Sequence, residues 1–189
     1  MKTALINLDM INEICHPKGK LAKYSDRISK SHTLANINDL NSWGRKQGHL
    51  IIHVRLGFSS HYLDCSTISP IFSAAETNHA VAIDEWGGQF CEDLDIEPQD
   101  IQVTKHRVSA FYGTDLDLIL RANQIETLIL AGVATNNAVE LTAREAHDRD
   151  YRVQVMKDAT ECASDEEQMA SLNFLSRIAA IRTTKELIL

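Results

Sequence analysis

Three stretches of the chain place polar, potentially reactive groups where a short apolar run ends. Asp9 follows Ala4-Leu5-Ile6-Asn7-Leu8, and Lys105 follows Ile101-Gln102-Val103-Thr104. The stretch Gly132-Val133-Ala134-Thr135-Asn136-Asn137-Ala138-Val139-Glu140 follows Thr127-Leu128-Ile129-Leu130-Ala131 and opens a helical pattern. A carboxylate, an ammonium and a helix start are complementary parts. The first two can pair, and either can carry a proton when burial moves its pKa towards neutrality. The first turn of a helix offers unpaired backbone N–H groups and a positive dipole end, which suit an oxyanion or a carboxylate. Taken singly, each has a plainer reading: an Asp after a strand turns the chain, and a lone Lys is solvated. The coincidence of all three carries the catalytic reading.

These groups meet only if the surrounding elements bring them to one edge. Apolar runs at 4–8, 50–54, 101–104, 127–131, 151–155 and 178–181 read as strands. Residues 31–47 have helical spacing through Leu34, Ile37, Leu40 and Trp43, with Gly48 as a stop. Residues 115–122, 136–149 and 165–174 are also helix-compatible. Such alternation predicts an α/β fold: a six-stranded, mostly parallel sheet with helices on both faces, a Rossmann-like three-layer arrangement. Ligands of such sheets sit beyond the carboxyl ends of the strands, where all three stretches fall. Residues 56–98 break the pattern. They hold Phe58, Tyr62, Phe72, Trp86 and Phe90 with weak periodicity. A connection this long reads as a lid, a binding insertion or an oligomer contact, and is expected to set substrate choice.

Composition narrows the classes. A chain of 189 residues predicts one domain, 1–189. With 26 acidic against 19 basic side chains the net charge is −7, which argues against a nucleic-acid partner. The hydrophobic fraction of 44% argues for a packed core rather than disorder. No apolar run approaches the ~18 residues of a membrane span. Asp9 interrupts any signal-peptide core, so a cytoplasmic protein is expected, with Cys15, Cys65, Cys91 and Cys162 as reduced thiols. Their spacing matches no zinc or CxxC pattern. Ser109, Thr114 and Thr135 lack a Ser-His-Asp order or a GxSxG elbow and read as caps and turn residues, Thr114 and Asp115 at a helix start. Cys162 precedes a cap at Ser164 or Asp165, and Arg144 and Glu145 read as ion-pairing helix residues. Phe111 and Tyr112 are open between lining a pocket, a subunit contact and core packing.

Three segments, ALINLDMINEICHPKG, VTKHRVSAFYGTDLDLILR and LILAGVATNNAVELTAREAHDRDY, together with the strand order between them, resemble the isochorismatase-like (cysteine) hydrolase superfamily over nearly the whole chain. The resemblance implies a six-stranded parallel sheet, assembly as a homodimer or homotetramer, and an active site of an Asp, a Lys and a Cys. The first two fall on Asp9 and Lys105. The third falls on Ala138, where the family pattern has its nucleophile, and a methyl group cannot attack a carbonyl. The acyl-thioester route of the amidases, nicotinamidases and carbamoyl hydrolases is therefore closed. Cys15 reads as a loop packing residue rather than a substitute. A true isochorismatase also dispenses with the thiol, hydrolysing a vinyl ether with the Asp handling a proton. Nicotinamidase relatives hold a metal with an Asp-x-His unit and a further His. Here His53, Arg55, His61 and the later Asp64 do not reproduce that order, and His106 stands apart. No metal or cofactor is expected. The resulting expectation is a hydrolase of a small-molecule substrate in which Asp9 is the general acid or base and Lys105 orients it and stabilises negative charge. Backbone groups around Ala134 and Ala138, with Asn137, Phe111 and Tyr112 nearby, would bind the substrate. The alternatives are a degenerate member serving as a binding or structural oligomer, and a Cys-to-Ala variant of a cysteine amidohydrolase.

Overall fold

The computed structural model describes residues 2–189. Strand β1 (Thr3–Leu8) is buried on both faces from Ala4 onward, as a central parallel strand must be. It leads through α1 (Asn12–Cys15) and α2 (Ser25–Lys30) to α3 (Thr33–Lys46), then β2 (Leu50–Leu56). After an irregular excursion come β3 (Ile101–Lys105), α4 (Leu116–Ala122) and β4 (Thr127–Val133). A π-helical turn, Thr135–Val139, runs straight into α5 (Glu140–Asp148). The chain closes with β5 (Arg152–Glu161), α6 (Asp165–Leu175), β6 (Ala180–Arg182) and α7 (Thr184–Ile188).

All neighbouring strands pair in parallel, in the order β3-β2-β1-β4-β5-β6. Alternate residues of each strand supply two separate cores. Leu5, Ile51 and Ile129 pack with Ile37 and Leu40 of α3 on one face. Ile6, Ile52, Leu130 and Val155 pack with Leu120 of α4, Ala143 of α5 and Leu175 of α6 on the other. This is the three-layer α/β arrangement that the alternation of strands and helices implies. Order reverses between β1 and β4, and there the two strands approach closely. Gly132 sits at φ +108°, opposite Leu8, and a Cβ on it would lie 2.1 Å from the Leu8 carbonyl oxygen.

Three elements differ from the sequence expectation. β5 continues to Glu161 rather than ending near Val155, because the register shifts between Leu130 and Gly132 and the polar tail pairs again with the end of β4. β6 is shifted to Ala180–Arg182, since Ile178 and Ala179 are taken up in the turn closing α6. The first turn expected of the 136–149 helix is the wider π turn. The 57–100 excursion is a chain of turns, with one 3-10 turn at Trp86–Gly88, folded onto its own aromatic residues. Phe58 meets Phe72 edge-on at 5.6 Å. Backbone bonds between Phe58 and both Val81 and Ile83 close the excursion on itself. Its far end is pinned by Arg45 of α3, whose guanidinium binds Asp95 at 2.6 Å and Asp100 at 2.5 Å. Among the described residues no helix is long and apolar enough to cross a membrane.

Candidate active site

β1 delivers Asp9 to the carboxyl edge of the sheet at the point where strand order reverses. Its φ of +54° turns the chain sharply out of the strand, and Asp is among the few L residues that tolerate this region. Two bonds fix the turn: Asp9 N–H donates to the Val54 carbonyl, and Ile11 N–H to the Asp9 carbonyl, each at 2.8 Å. The side chain thereby faces the ends of β2 and β3. Oδ1 accepts the Leu56 backbone N–H at 2.7 Å, and Oδ2 lies 2.8 Å from Lys105 Nζ. Lys105 is the last residue of β3 and reaches Asp9 across the end of β2, where Leu56 is its register partner. Its ammonium also donates to the Arg107 carbonyl at 3.1 Å.

Asp9 is 4% exposed and Lys105 is 1% exposed. Burial raises the Asp9 pKa, and the charge of Lys105, its hydrogen bond and the Leu56 N–H pull it back without cancelling the rise. The carboxyl thus keeps its proton to a higher pH than a solvated aspartate would.

The pair forms part of the wall of a cavity of about 520 Å³. Val133, Ala134, Asn137 and Ala138 contribute a second wall from the end of β4 and the π turn. The Val133–Ala134 peptide is cis. Pro70, Ile71 and Phe72 come from the excursion. Ile14, Lys20, Leu21, Lys23 and Tyr24 come from the segment after β1. The cavity combines a buried proton carrier, a buried cation and apolar walls, a set able to support acid–base chemistry on a small molecule.

Of the residues singled out in the sequence, Asp9, Lys105, Ala134, Asn137 and Ala138 share this cavity. Phe111 and Tyr112 do not. After β3 the chain folds over α5, with Ala110 N–H bonded to Thr142 Oγ1 at 3.1 Å. That move carries Phe111 into the opposite core, stacked on Tyr151 at 6.1 Å, while Tyr112 is 66% exposed beside a separate surface depression. Of the places left open for them by the sequence, Phe111 takes core packing, and neither lines this cavity. Thr114 Oγ1 accepts the Leu116 N–H at the start of α4, whereas the Asp115 side chain makes no cap. Ser164 caps α6, with buried Cys162 just before it. Arg144 and Glu145 pair along α5 with Glu140 and Arg149 rather than with each other. Cys15 ends α1, its thiol 3.7 Å from the Asp9 carbonyl oxygen. His53 is an interior residue of β2, bonded to Asn7 and Asp100, and His106 binds the Gly57 carbonyl. Among the described residues, no group of three or more His, Cys, Asp or Glu side chains is arranged to hold a metal ion.

Sequence reasoning missed Lys20, Lys23 and Tyr24. The available signal was the Pro-Lys-Gly-Lys turn so soon after Asp9: a turn at residues 17–20 folds the following residues back over the strand end.

Comparison with known proteins finds relatives of this chain and of its fold. The isochorismatase domain pattern matches residues 3–186. An uncharacterised isochorismatase family protein of Escherichia coli O157:H7, YecD, is 34% identical over 145 residues, 76% of this chain and 75% of that one. A second, YwoC of Bacillus subtilis, is 45% identical over 103 residues, and the match spans only 54% of each chain, about half the length of that relative. Among solved structures, a cysteine hydrolase of Pseudomonas syringae pv. phaseolicola superposes with a TM-score of 0.87 at 25% identity, over 99% of this chain and 91% of that one.

Proposed function

The chain belongs to the isochorismatase family, and from that premise we propose that it is a hydrolase of a small molecule that works by Asp9/Lys105 acid–base chemistry with no covalent enzyme intermediate. One observation carries this reading. The buried Asp9–Lys105 pair faces a cavity also lined by Ala138, which we take, on the resemblance of the surrounding segment, to stand at the place of the family's cysteine. With no thiol there to acylate, the attacking group is water. The work left to the protein is moving a proton and stabilising charge. Asp9, its pKa raised by burial, donates a proton to the atom that leaves, or to the carbon or heteroatom whose protonation opens the bond. Lys105 stabilises the carboxylate that remains, at 2.8 Å, until that carboxylate takes the proton released by the attacking water, which restores the acid. In this reading the Asn137 side chain, in the cavity lining, would hold a carbonyl of the substrate. Part of the same proposal is a homo-oligomer, for which exposed Leu63 and Ile68 of the excursion supply apolar surface; light scattering checks it.

The test is a panel of amides, esters, carbamoyl compounds and vinyl ethers offered to the native protein, to Asp9→Asn and to Ala138→Cys. Turnover by the native protein that Asp9→Asn abolishes supports the proposal. Turnover retained by Asp9→Asn overturns it. A second reading, a binding protein whose site has lost its chemistry, draws on the same Ala138. Hydrolysis that emerges only in Ala138→Cys would establish it. The retained pair argues against that reading, because a buried ion pair is often no more stabilising than apolar packing of equal volume.

A further inference from the structure

The cavity carries a charge pattern that the proton-transfer reading does not use. Four charged side chains line it: Asp9, Lys105, Lys20 and Lys23. The first two are engaged with one another at 2.8 Å. Lys20 and Lys23 lie exposed on the turn between α1 and α2, and among the described residues neither is within ion-pair distance of a carboxylate. Their partners are neutral. The Lys20 ammonium donates to the His79 carbonyl, and that of Lys23 lies 4.9 Å from the centre of the Tyr24 ring. Glu167 acts on Lys23 only through space. Arg27, a few residues on, is by contrast held by both Glu161 and Asp165.

The turn that presents the lysines is built rather than loose. Glu13, buried beneath it, accepts the Lys20 backbone N–H at 2.7 Å and the Val81 N–H at 3.0 Å, so its carboxylate is engaged by the backbone. Leu21 N–H bonds to the Glu13 carbonyl at 3.0 Å. Gly19 packs so closely there that a Cβ would lie 2.3 Å from the same oxygen. A protein of net charge −7 thus presents two cations without carboxylate partners, on a backbone turn held by Glu13, in the lining of this cavity. Field lines focus in such clefts and favour an anion. The remaining lining is apolar, with Ile14, Leu21, Tyr24, Leu56 and Phe72 prominent, and about 520 Å³ is ample for a ring-sized molecule.

We propose, resting on the reading of this cavity as the substrate site, that the substrate is an organic carboxylate with a compact apolar body, its charge held by Lys20 and Lys23 while its reacting end meets Asp9 and Lys105. The probes are benzoate and 3-phenylpropanoate against benzamide and 3-phenylpropanamide, titrated calorimetrically into the full chain. Each carboxylate is expected to bind about tenfold more tightly than its amide at low salt, with the preference shrinking in about 0.5 M salt. Lys20→Gln/Lys23→Gln should erase the preference, and Lys20→Glu/Lys23→Glu should reverse it. Both are surface changes whose folding is checked by thermal melting. Amides binding as tightly as carboxylates, absence of binding by both carboxylates, or an unchanged preference in the double variants overturns the inference. The hydrolase reading fails separately: carboxylate selectivity that survives with no turnover in the native protein refutes only that reading. Turnover that is indifferent to substrate charge refutes only the inference.

Discussion

Replacing Lys105 by Met tests the centre of the site without needing a substrate. The substitution removes the cation 2.8 Å from a carboxylate that is 4% exposed. Breaking a buried pair in this way typically costs about 3–5 kcal/mol, because one charge is left without a partner. Asp9 has an escape, which is to take up a proton. From the ordinary carboxyl value of 3.8, protonation at pH 7 costs about 1.36 × (7 − 3.8), or about 4.4 kcal/mol, and at pH 5 about 1.6 kcal/mol. These figures are ceilings on the charge penalty. The expected loss at pH 7 is therefore about 3–4 kcal/mol, shrinking by up to about 2.7 kcal/mol at pH 5. The sign follows from proton counts. In the variant the folded state keeps a proton on Asp9 over a range where the unfolded chain has lost it, so stability falls as pH rises through that range. Urea unfolding of the native protein and of Lys105→Met at both pH values measures the loss. Asp9→Asn/Lys105→Met should show no such pH dependence. A loss identical at pH 5 and pH 7, or below about 1 kcal/mol at pH 7, would refute the reasoning that the two groups form a desolvated pair.

Burial that raises the Asp9 pKa favours the acid form, so if Asp9 is the proton donor, kcat should fall as pH rises past its folded value. A kcat that rises across the same range would assign it instead as a base. His53 has its pKa lowered, first by burial and then by the charge of Arg45, against the opposing pull of Asp100. Stability that depends on its neutral ring is complete above about 6.5 and is lost as pH falls below that value, a decline that His53→Gln should flatten in thermal melts. Gly132→Ala would drive a Cβ to 2.1 Å from the Leu8 carbonyl at φ +108°, so about 3 kcal/mol or more should be lost in chemical denaturation; a loss under about 0.5 kcal/mol would show that the β1–β4 contact is slack.

The sheet was legible because its strands are buried on both faces and therefore read as uninterrupted apolar runs. Residues 4–8, 127–131 and 50–54 fall within β1, β4 and β2. The continuation of β5 to Glu161 was hidden by Lys157, Asp158 and Thr160, which look like loop residues until a shift in register pairs them again beside β4. α1 and α2 are too short, at 4 and 6 residues, to leave a periodic trace. Asp9 and Lys105 were legible for the same reason as the strands: each ends one, and parallel strands deliver their carboxyl ends to one edge. The places of Phe111 and Tyr112 stayed open because proximity in sequence to Lys105 says nothing about which face of the sheet the next turn takes.

What the sequence could not supply is the balance between two opposing effects on one carboxyl. Adjacency to Lys105 alone would make Asp9 a permanently ionised aspartate, fit to hold a cation but poor at giving up a proton. Burial alone would favour the neutral acid, with no charge nearby to receive the anion after transfer. The fold supplies both. β1 turns Asp9 inward at a left-handed residue beneath Leu56, and β3 brings in the amine from two strands away. The net direction is upward, so desolvation outweighs the ion pair.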